Sequence, residues 1–243
     1  LMPAKPVGDT PPVVLITGGG QRVGLHCARR LVEDGFKVVI SCRRLRAEWQ
    51  AAPLQGIDVI LADFSTVEGI QSFIAAIVAE GLHLRAIVHN ASLWLEDDGL
   101  TSEQFHQMCM VHLQAPYLIN MAATDWFGSG PADIIHITDH DALGGSADHV
   151  AYLATKAGLE NMTRSFAARF ASKKIKVNSI APALIMFNEQ DTEEFKQSIL
   201  ARSALGVEPG PEVVYQALRY VMDNSYITGT CQDLNGGGML KFA

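Results

Sequence analysis

The stretch VVLITGGGQRVG, residues 13–24, decides the fold that this sequence predicts. Five residues suited to a buried strand run into a glycine-rich turn, after which apolar residues recur at helical spacing. Continuous apolar strands are typical of a parallel sheet covered by helices on both faces. Glycines at a strand-to-helix turn let the backbone approach a pyrophosphate, which the N–H groups and positive dipole end of the helix attract. The stretch therefore favours a dinucleotide site, with an ordinary tight turn as the alternative.

The rest of the chain repeats this alternation. Apolar runs predict strands at residues 13–17, 37–42, 58–61, 84–89, 132–138, 174–180 and 231–234. Apolar periodicity predicts helices at residues 22–34, 67–79, 102–126, 149–171 and 211–222. The series predicts an α/β fold, a single doubly wound Rossmann-type domain over residues 13–243 with a parallel sheet of about seven strands flanked by helices. The proline-rich residues 1–12 are predicted to form a disordered N-terminal lead.

Composition and charge exclude several classes of protein. The 243 residues are 48% hydrophobic and 19% charged, the make-up of a globular chain able to bury a core. A formal net charge of −7, without a basic stripe, argues against a nucleic-acid partner. Four cysteines without a C-x-x-C pair, and no histidines at metal-ligand spacing, predict neither disulfides nor a metal site. Because the sequence shows no signal peptide and no membrane-spanning apolar run, we expect a soluble, cytoplasmic protein.

The second predicted strand ends in basic residues, SCRR at residues 41–44. Sites for NAD usually carry Asp or Glu here, because a carboxylate bonds the ribose 2′-hydroxyl. Arginines instead hold a 2′-phosphate through charge-assisted bonds, so Arg43 and Arg44 favour NADPH. Arg22 in the glycine-rich turn is a second cation directed at this region. The alternative is that Arg43, Arg44 and Arg46 form only a solvated basic turn.

Tyr152 and Lys156 are the strongest candidates for chemistry. They stand four residues apart near the start of a predicted helix, so both side chains lie on one face, about one turn apart. A neighbouring ammonium favours the phenolate, so we expect Lys156 to bring the pKa of Tyr152 down toward the range useful for acid–base catalysis. Taken alone, the spacing is also that of a surface helix pair.

Three motifs together resemble the short-chain dehydrogenase/reductase family. They are T-G-x-x-x-R-x-G from residue 17, N-A-S at residues 90–92 and Y-x-x-x-K at residues 152–156. Further similarity continues through VNSIAP at residues 177–182 to NGG at residues 235–237, and within the family the chain is similar to the pteridine-reductase branch. The resemblance implies that NADPH is bound by Gly18, Gln21, Arg22, Val23, Gly24, Arg43, Arg44, Asp63, Phe64, Asn90, Ala91, Ser92, Tyr152, Lys156, Pro182 and Leu184.

Two residues depart from the wider family's catalytic pattern. Asp139 stands thirteen residues before the tyrosine, where most members have serine and pteridine reductases have aspartate. A carboxylic acid there can relay a proton to a ring nitrogen, which suits a C=N bond better than a ketone; the alternative is a turn residue. His112 replaces the family's asparagine, either supporting the same water chain from lysine or packing in the core. The implied catalytic set is Tyr152, Lys156, Asp139 and His112.

The resemblance also implies a pocket for a flat heterocycle. In pteridine reductases an aromatic ring two residues beyond the N-A-S serine stacks on the pterin, and Trp94 occupies that place. The implied substrate-binding residues are Ser92, Trp94, Asp139 and Tyr152. The alternative for Trp94 is a buried core aromatic.

Three functions are compatible with these motifs. The first is NADPH-dependent reduction of a 7,8-dihydropterin, such as dihydromonapterin, to the tetrahydropterin, with dihydrofolate left open as a further substrate. The second is reduction of a carbonyl such as a 3-oxoacyl thioester, against which Asp139 argues. The third is a regulator that senses NADPH without turnover, against which the intact Tyr152 and Lys156 argue. The resemblance further implies a homotetramer joined through the helices at residues 104–123 and 151–170.

Overall fold

The structure is a computed structural model that describes residues 11–240 of the chain. Its centre is one seven-stranded sheet with the order β3-β2-β1-β4-β5-β6-β7, in which every neighbouring pair is parallel. The strands are β1 (Val13–Thr17), β2 (Lys37–Cys42), β3 (Ile57–Leu61), β4 (Leu84–His89), β5 (Ala132–Ile137), β6 (Ile175–Pro182) and β7 (Cys231–Leu234). The predicted sheet is confirmed, and only the ends of the third, fifth and sixth strands differ, by one or two residues.

Helices cover both faces of this sheet. They are α1 (Arg22–Glu33), α2 (Ala47–Ala51), α3 (Val67–Glu80), α4 (Ser102–Cys109), α5 (Ala115–Ala122), α6 (Val150–Phe170), α7 (Glu193–Leu200) and α8 (Glu212–Asp223). All five residues of β1 are buried. Its successive residues Leu15 and Ile16 point into different core clusters: Leu15 into the cluster under α3, α5 and α6, and Ile16 into the cluster under α1 and α8. A strand buried on both faces needs apolar residues at successive positions, which explains the run VVLIT. The doubly wound architecture is confirmed.

The predicted helix over residues 102–126 is not continuous. A π-helical turn, Met110–Gln114, separates α4 from α5, and the N–H of Ala115 donates to the carbonyl of Met110, five residues back. Pro116 has no N–H to donate to the carbonyl of His112, so an α-helical ladder cannot pass through this point. A 3₁₀ turn, Ala123–Asp125, ends the segment. Sequence periodicity alone missed this interruption, although Pro116 was its visible signal.

Two short helices, α2 and α7, were absent from the sequence prediction. The five residues of α2 and eight of α7 are too few for a clear apolar periodicity. Residues 1–10 of the predicted lead lie outside the described residues. Pro12, which was assigned to that lead, instead belongs to the ordered chain, because its carbonyl accepts a hydrogen bond of 3.1 Å from the N–H of Lys37 in β2.

The topology decides where a ligand can lie. Strand order runs one way from β1 through β2 to β3 and the other way from β1 through β4 to β7. The carboxyl ends of β1 and β4 therefore border a crevice at the point where the winding reverses, which is where open α/β sheets bind ligands. The glycine-rich turn follows β1, N-A-S follows β4 and Asp139 follows β5, whereas Tyr152 and Lys156 lie near the start of α6.

Candidate active site

The glycine-rich turn after β1 is fastened to the segment after β4. The Asn90 side-chain amide donates to the carbonyls of Thr17 at 3.3 Å and Gly18 at 2.9 Å. In the other direction, the Thr17 hydroxyl accepts from the backbone N–H groups of Asn90 and Ala91, each at 3.1 Å. Asn90, predicted to line the cofactor, thus holds the turn in shape, and Thr17 is a partner that the sequence argument did not single out.

Two glycines of this turn have no room for a side chain. Gly18 has φ +63°, and a Cβ there would lie 2.6 Å from the Cα of Ala91. A Cβ on Gly24 would lie 2.6 Å from the Asn90 amide nitrogen. Real Cβ contacts do not come so close, so packing alone requires glycine at both positions. The predicted Val23 packs partly buried against the core on the α1 side.

The basic residues after β2 lie next to the glycine-rich turn only through Arg46. Arg43 and Arg44 are exposed, and the charge of Arg43 contributes to lowering the pKa of Asp63, although hydrogen bonds from Ser65 contribute more. Arg46 donates to the Gln21 side chain at 2.9 Å, which joins the basic turn to the glycine-rich turn. Arg46 therefore contacts the glycine-rich turn, and it is not the solvated residue of the alternative interpretation.

Arg22 does not join this basic group. Its guanidinium donates to the Asn188 side-chain oxygen at 2.7 Å and to the Met186 carbonyl at 3.0 Å, both in the segment after β6. Its backbone has φ +48°, an uncommon conformation for a residue with a Cβ. Arg22 thus connects the glycine-rich turn to the loop that follows Pro182, instead of lying beside Arg43.

Tyr152, Lys156 and Asp139 do come together. The Tyr152 hydroxyl lies 3.5 Å from Asp139 Oδ2, and the Lys156 ammonium lies 5.6 Å from the centre of the Tyr152 ring. Lys156 Nζ donates to the Ile137 carbonyl at 3.0 Å, at the end of β5. Asp139 Oδ1 accepts from the N–H of Asp141, so this residue caps a turn and also reaches the tyrosine. The turn interpretation of Asp139 is thus correct but incomplete.

Burial dominates the protonation of these groups. It lowers the pKa of Lys156 to about 8 and raises the pKa values of Asp139 and Tyr152. The nearby Asp139 raises the pKa of Tyr152 further. The expectation that Lys156 would lower the tyrosine's pKa is therefore not met, because desolvation and a facing carboxyl act in the opposite direction. Both the phenol and the carboxyl are held toward their protonated, proton-donating forms.

His112 lies in the π turn and contacts both sides of the site. Its Nε2 is 2.9 Å from Ser92 Oγ and 3.1 Å from the N–H of Leu93, and its Nδ1 is 2.8 Å from Thr155 Oγ1. The ring is 1% exposed and packs edge-on against Tyr152, with 5.5 Å between ring centres. His112 thus lies against the Tyr152 ring and bonds Ser92, so it joins two of the predicted site residues.

The predicted substrate wall is open to solvent. Trp94 is 51% exposed and packs edge-on against His149, with 5.1 Å between ring centres, so it is not the core aromatic of the alternative interpretation. The loop that carries Trp94 is fixed by Asp97, whose carboxylate accepts from the N–H groups of Val150 and Ala151 at the start of α6. Asp97 is a positioning residue that sequence reasoning missed.

The remaining predicted cofactor residues differ in how much of their side chain is exposed. Phe64 is 6% exposed and packs edge-on against Phe73 in the core, so its ring has little surface to offer a ligand. Asp63 and Leu184 are exposed, and Pro182 ends β6. Over residues 11–240, no group of three or more His, Cys, Asp or Glu side chains is arranged to hold a metal ion.

Comparison with known families agrees with this geometry. A family model described as enoyl-(acyl carrier protein) reductase matches residues 20–238. The dihydromonapterin reductase of Enterobacter sp. (strain 638) is 41% identical over 233 residues, covering 94% of this chain and 97% of the relative. The chain belongs to the short-chain dehydrogenase/reductase family. The enzyme of the same name from Escherichia coli (strain K12) is 39% identical over 241 residues and is covered in full.

Solved structures of short-chain dehydrogenases/reductases share the fold. The FolM alternative dihydrofolate reductase 1 of Brucella canis, complexed with NADP, superposes with a TM-score of 0.85 at 26% identity, covering 96% of this chain and 95% of that one. A 4-hydroxyisoleucine dehydrogenase complexed with NADH gives 0.86 at 21% identity, covering 93% and 98%, and supports the fold alone. The resemblance of the motifs to the pteridine-reductase branch is confirmed. Among the described helices of this family member, none is long and apolar enough to cross a membrane.

Proposed function

We propose that this protein reduces a 7,8-dihydropterin to the tetrahydropterin with NADPH, and that the dihydropterin is of the dihydromonapterin type. The observation that carries the proposal is the pairing of Asp139 with Tyr152, and Trp94, exposed two residues beyond Ser92, adds an aromatic face. A carboxyl next to the phenol suits a ring nitrogen that needs a proton, and an exposed indole offers a stacking face to a flat heterocycle. The names of the relatives, dihydromonapterin reductase and alternative dihydrofolate reductase, support the same substrate class.

The glycine-rich turn and the basic group fit a dinucleotide phosphate. Gly18 and Gly24 let the turn pack closely against Ala91 and Asn90, and Arg46 is joined to Gln21 of the same turn. NADPH, when bound, supplies the hydride that reduces the N5=C6 bond at C6. The backbone of the turn and the dipole of α1 would bind its pyrophosphate, and Arg43, Arg44 and Arg46 would bind the 2′-phosphate.

The chain's own groups supply the proton that N5 requires. Tyr152 is the donor in this proposal, and Asp139, 3.5 Å from the phenol oxygen, returns a proton to it. Because burial raises the pKa values of both groups, each holds a proton more firmly than it would in water. Lys156 is fixed behind the Tyr152 ring by its bond to the Ile137 carbonyl, and its charge favours the phenolate that forms when the proton leaves.

Cofactor preference is tested by titrating NADPH and NADH at equal salt concentration. Loss of a charge-assisted bond costs about 1.5–3 kcal/mol, so Arg43→Ala should lower the preference for NADPH by roughly tenfold to a hundredfold. Arg169→Ala removes an exposed arginine near the far end of α6 and serves as the matched control. Equal affinities in the wild type, or a ratio unchanged by Arg43→Ala, would refute the assignment of NADPH.

Substrate class is tested by NADPH consumption with dihydromonapterin, dihydrobiopterin, dihydrofolate and a 3-oxoacyl thioester. The proposal expects a dihydropterin to be reduced fastest, and Asp139→Ser to depress that turnover while leaving NADPH affinity unchanged. If the thioester were reduced faster than any dihydropterin, and if Asp139→Ser left dihydropterin turnover unchanged, the carbonyl-reductase alternative would be established. Tight NADPH binding without turnover of any compound would establish the sensor.

We propose further that the protein is a cytoplasmic homotetramer. Exposed aromatic side chains support an interface at residues 104–123, where Phe105 is 42% and Tyr117 is 47% exposed. Exposed apolar surface of this kind is often covered by a partner, and α6 lies beside it. Light scattering after size exclusion should give four times the 26.3 kDa chain mass, and Tyr117→Glu should dissociate the assembly. A monomeric wild type would refute the proposal.

A further inference from the structure

We propose that His112 is a positioning residue that joins the Ser92–Trp94 wall of the pocket to the turn of α6 carrying Tyr152, and that it does so as a neutral imidazole with its proton on Nδ1. This inference deepens the proposed function and rests on it for the substrate used in the assay. It differs from the role implied by the family resemblance, in which the residue at this position serves the lysine's water chain.

The contacts on the two edges of the ring belong to different parts of the site. Nε2 meets Ser92 and Leu93, which follow β4 and lead directly to Trp94. Nδ1 meets the Thr155 hydroxyl, which in turn donates to the Tyr152 carbonyl at 2.7 Å. A single side chain therefore spans from the exposed pocket wall to the helix of the proton donor, and the bonds on both edges are 3.1 Å or shorter.

The hydrogen bonds leave one choice of tautomer. The backbone N–H of Leu93 can only donate, so Nε2 must be the unprotonated, accepting nitrogen. A neutral ring then carries its proton on Nδ1, which donates to Thr155 Oγ1, and the Thr155 hydroxyl proton is left for the Tyr152 carbonyl. All of these groups are satisfied at once. A protonated ring would direct an Nε2–H against the Leu93 N–H, so the arrangement requires the neutral form.

The same assignment orients Ser92. Because Nε2 bears no hydrogen, the Ser92 hydroxyl donates to it across 2.9 Å. Ser92 also makes a side-chain hydrogen bond with Tyr152, so its hydroxyl lies between the histidine and the proton donor. Without His112 the segment that leads to Trp94 would lose its inner anchor.

The burial and backbone of His112 agree with a positioning role. The ring is 1% exposed, and desolvation together with the charge of Lys156 lowers its pKa well below the usual value, which keeps it neutral at physiological pH. His112 lies within the π turn Met110–Gln114, between Ser92 and Thr155. Functional sites often coincide with such single π turns.

Three substitutions separate the two edges of the ring. His112→Gln keeps an acceptor near the position of Nε2, and His112→Asn keeps a donor near the position of Nδ1. His112→Phe keeps the shape of a ring and loses the bonds to Ser92, Leu93 and Thr155. Displacement of reacting groups by about 1 Å can cost up to roughly a hundredfold in rate, so we expect kcat/KM for the dihydropterin to fall about tenfold to a hundredfold in the Phe variant.

The expected pattern distinguishes positioning from mere stability. The Gln variant should recover KM to within about threefold of wild type, because it retains the Ser92 side, whereas the Asn variant should keep kcat better than KM. NADPH affinity should be unchanged in both. If the Gln and Asn variants showed the same fall in kcat and the same rise in KM, the proposal would be overturned. Wild-type kinetics in a folded Phe variant would also overturn it. The Gln and Asn pair remains informative if the Phe variant does not fold.

A double-mutant cycle tests whether His112 acts through Ser92. Adding His112→Asn to Ser92→Ala should cost less than it costs in the wild type, since the bond is already lost, whereas strict additivity would refute the coupling. The tautomer is read independently of any substrate by ¹⁵N NMR of the histidine rings, with the His112 signals assigned by their loss in His112→Gln. An Nε2-protonated ring would overturn the inference. Failure of every dihydropterin as a substrate would refute only the proposed function, because the NMR result does not depend on it.

Discussion

Replacing Lys156 by methionine should make the protein more stable while it abolishes turnover. Lys156 is 2% exposed, and its ammonium has one hydrogen bond, to the Ile137 carbonyl, to compensate for its removal from water. Methionine has a similar length and no charge, so it can fill the same space under the Tyr152 ring. A residue retained at a cost in stability is expected where function requires it.

The size of the effect follows from the pKa of Lys156, which falls from 10.5 to about 8 in the folded chain. At about 1.4 kcal/mol per pH unit, holding the charged form in the fold costs roughly 3 kcal/mol at pH 7. Loss of the bond to the Ile137 carbonyl offsets about 1 kcal/mol of this gain. We therefore expect Lys156→Met to raise the free energy of unfolding by roughly 2 kcal/mol at neutral pH.

The pH dependence gives a sharper test than the magnitude. Between pH 8 and pH 10.5 the unfolded chain binds more protons at this lysine than the folded chain does, so wild-type stability rises with pH. Methionine cannot contribute such a rise. The advantage of Lys156→Met should be largest below pH 8 and should shrink by roughly 1 kcal/mol between pH 7 and pH 9.

Urea unfolding at pH 7, 8 and 9, at one protein concentration, measures both quantities. Lys173→Met, which removes an exposed lysine just after the same helix, is the matched control and should show no pH-dependent difference from wild type. A Lys156→Met variant that is less stable than wild type at pH 7, with a difference independent of pH, would refute the argument from desolvation.

Three further results are expected. Tyr152→Phe should lower dihydropterin turnover by about a hundredfold or more with NADPH affinity unchanged, and near-normal turnover would show that another acid supplies the proton. Trp94→Ala should raise the dihydropterin KM by roughly tenfold, since stacking on an aromatic ring is worth about 1–3 kcal/mol, and an unchanged KM would exclude Trp94 from the pocket. Asn120→Leu should lower the free energy of unfolding by about 2–6 kcal/mol, because it leaves buried nitrogens of His89 and His136 without the partner they now meet at 2.7 and 3.0 Å; a loss below about 1 kcal/mol in urea would contradict this.

Local chemistry explains why so much of the fold was predictable. The run VVLIT is buried along its whole length, so its apolar pattern directly reflects a strand covered on both faces. Tyr152 and Lys156 lie on one face of α6 because helical geometry fixes residues four apart. The glycines at positions 18 and 24 were likewise visible from the sequence, since a turn without room for Cβ atoms needs glycine.

Other features depended on residues that meet only in three dimensions. The pKa of Tyr152 could not be predicted, because the pKa of a group depends on its burial and on every charge nearby. Burial and Asp139 raise the pKa of Tyr152, whereas Lys156 alone was expected to lower it. Arg22 and Asn188 are 166 residues apart, and no periodicity could pair them.

The sequence by itself determined the sheet, the glycine-rich turn and the list of groups available for chemistry, because each depends on neighbouring residues in one strand, turn or helix. Only the tertiary structure decided how those groups are used. It placed Asp139 against the Tyr152 hydroxyl and Arg46 against Gln21, and it set His112 between two walls of the pocket. The physical reason is that hydrogen bonds, burial and charge act through space, where separation along the chain has no effect.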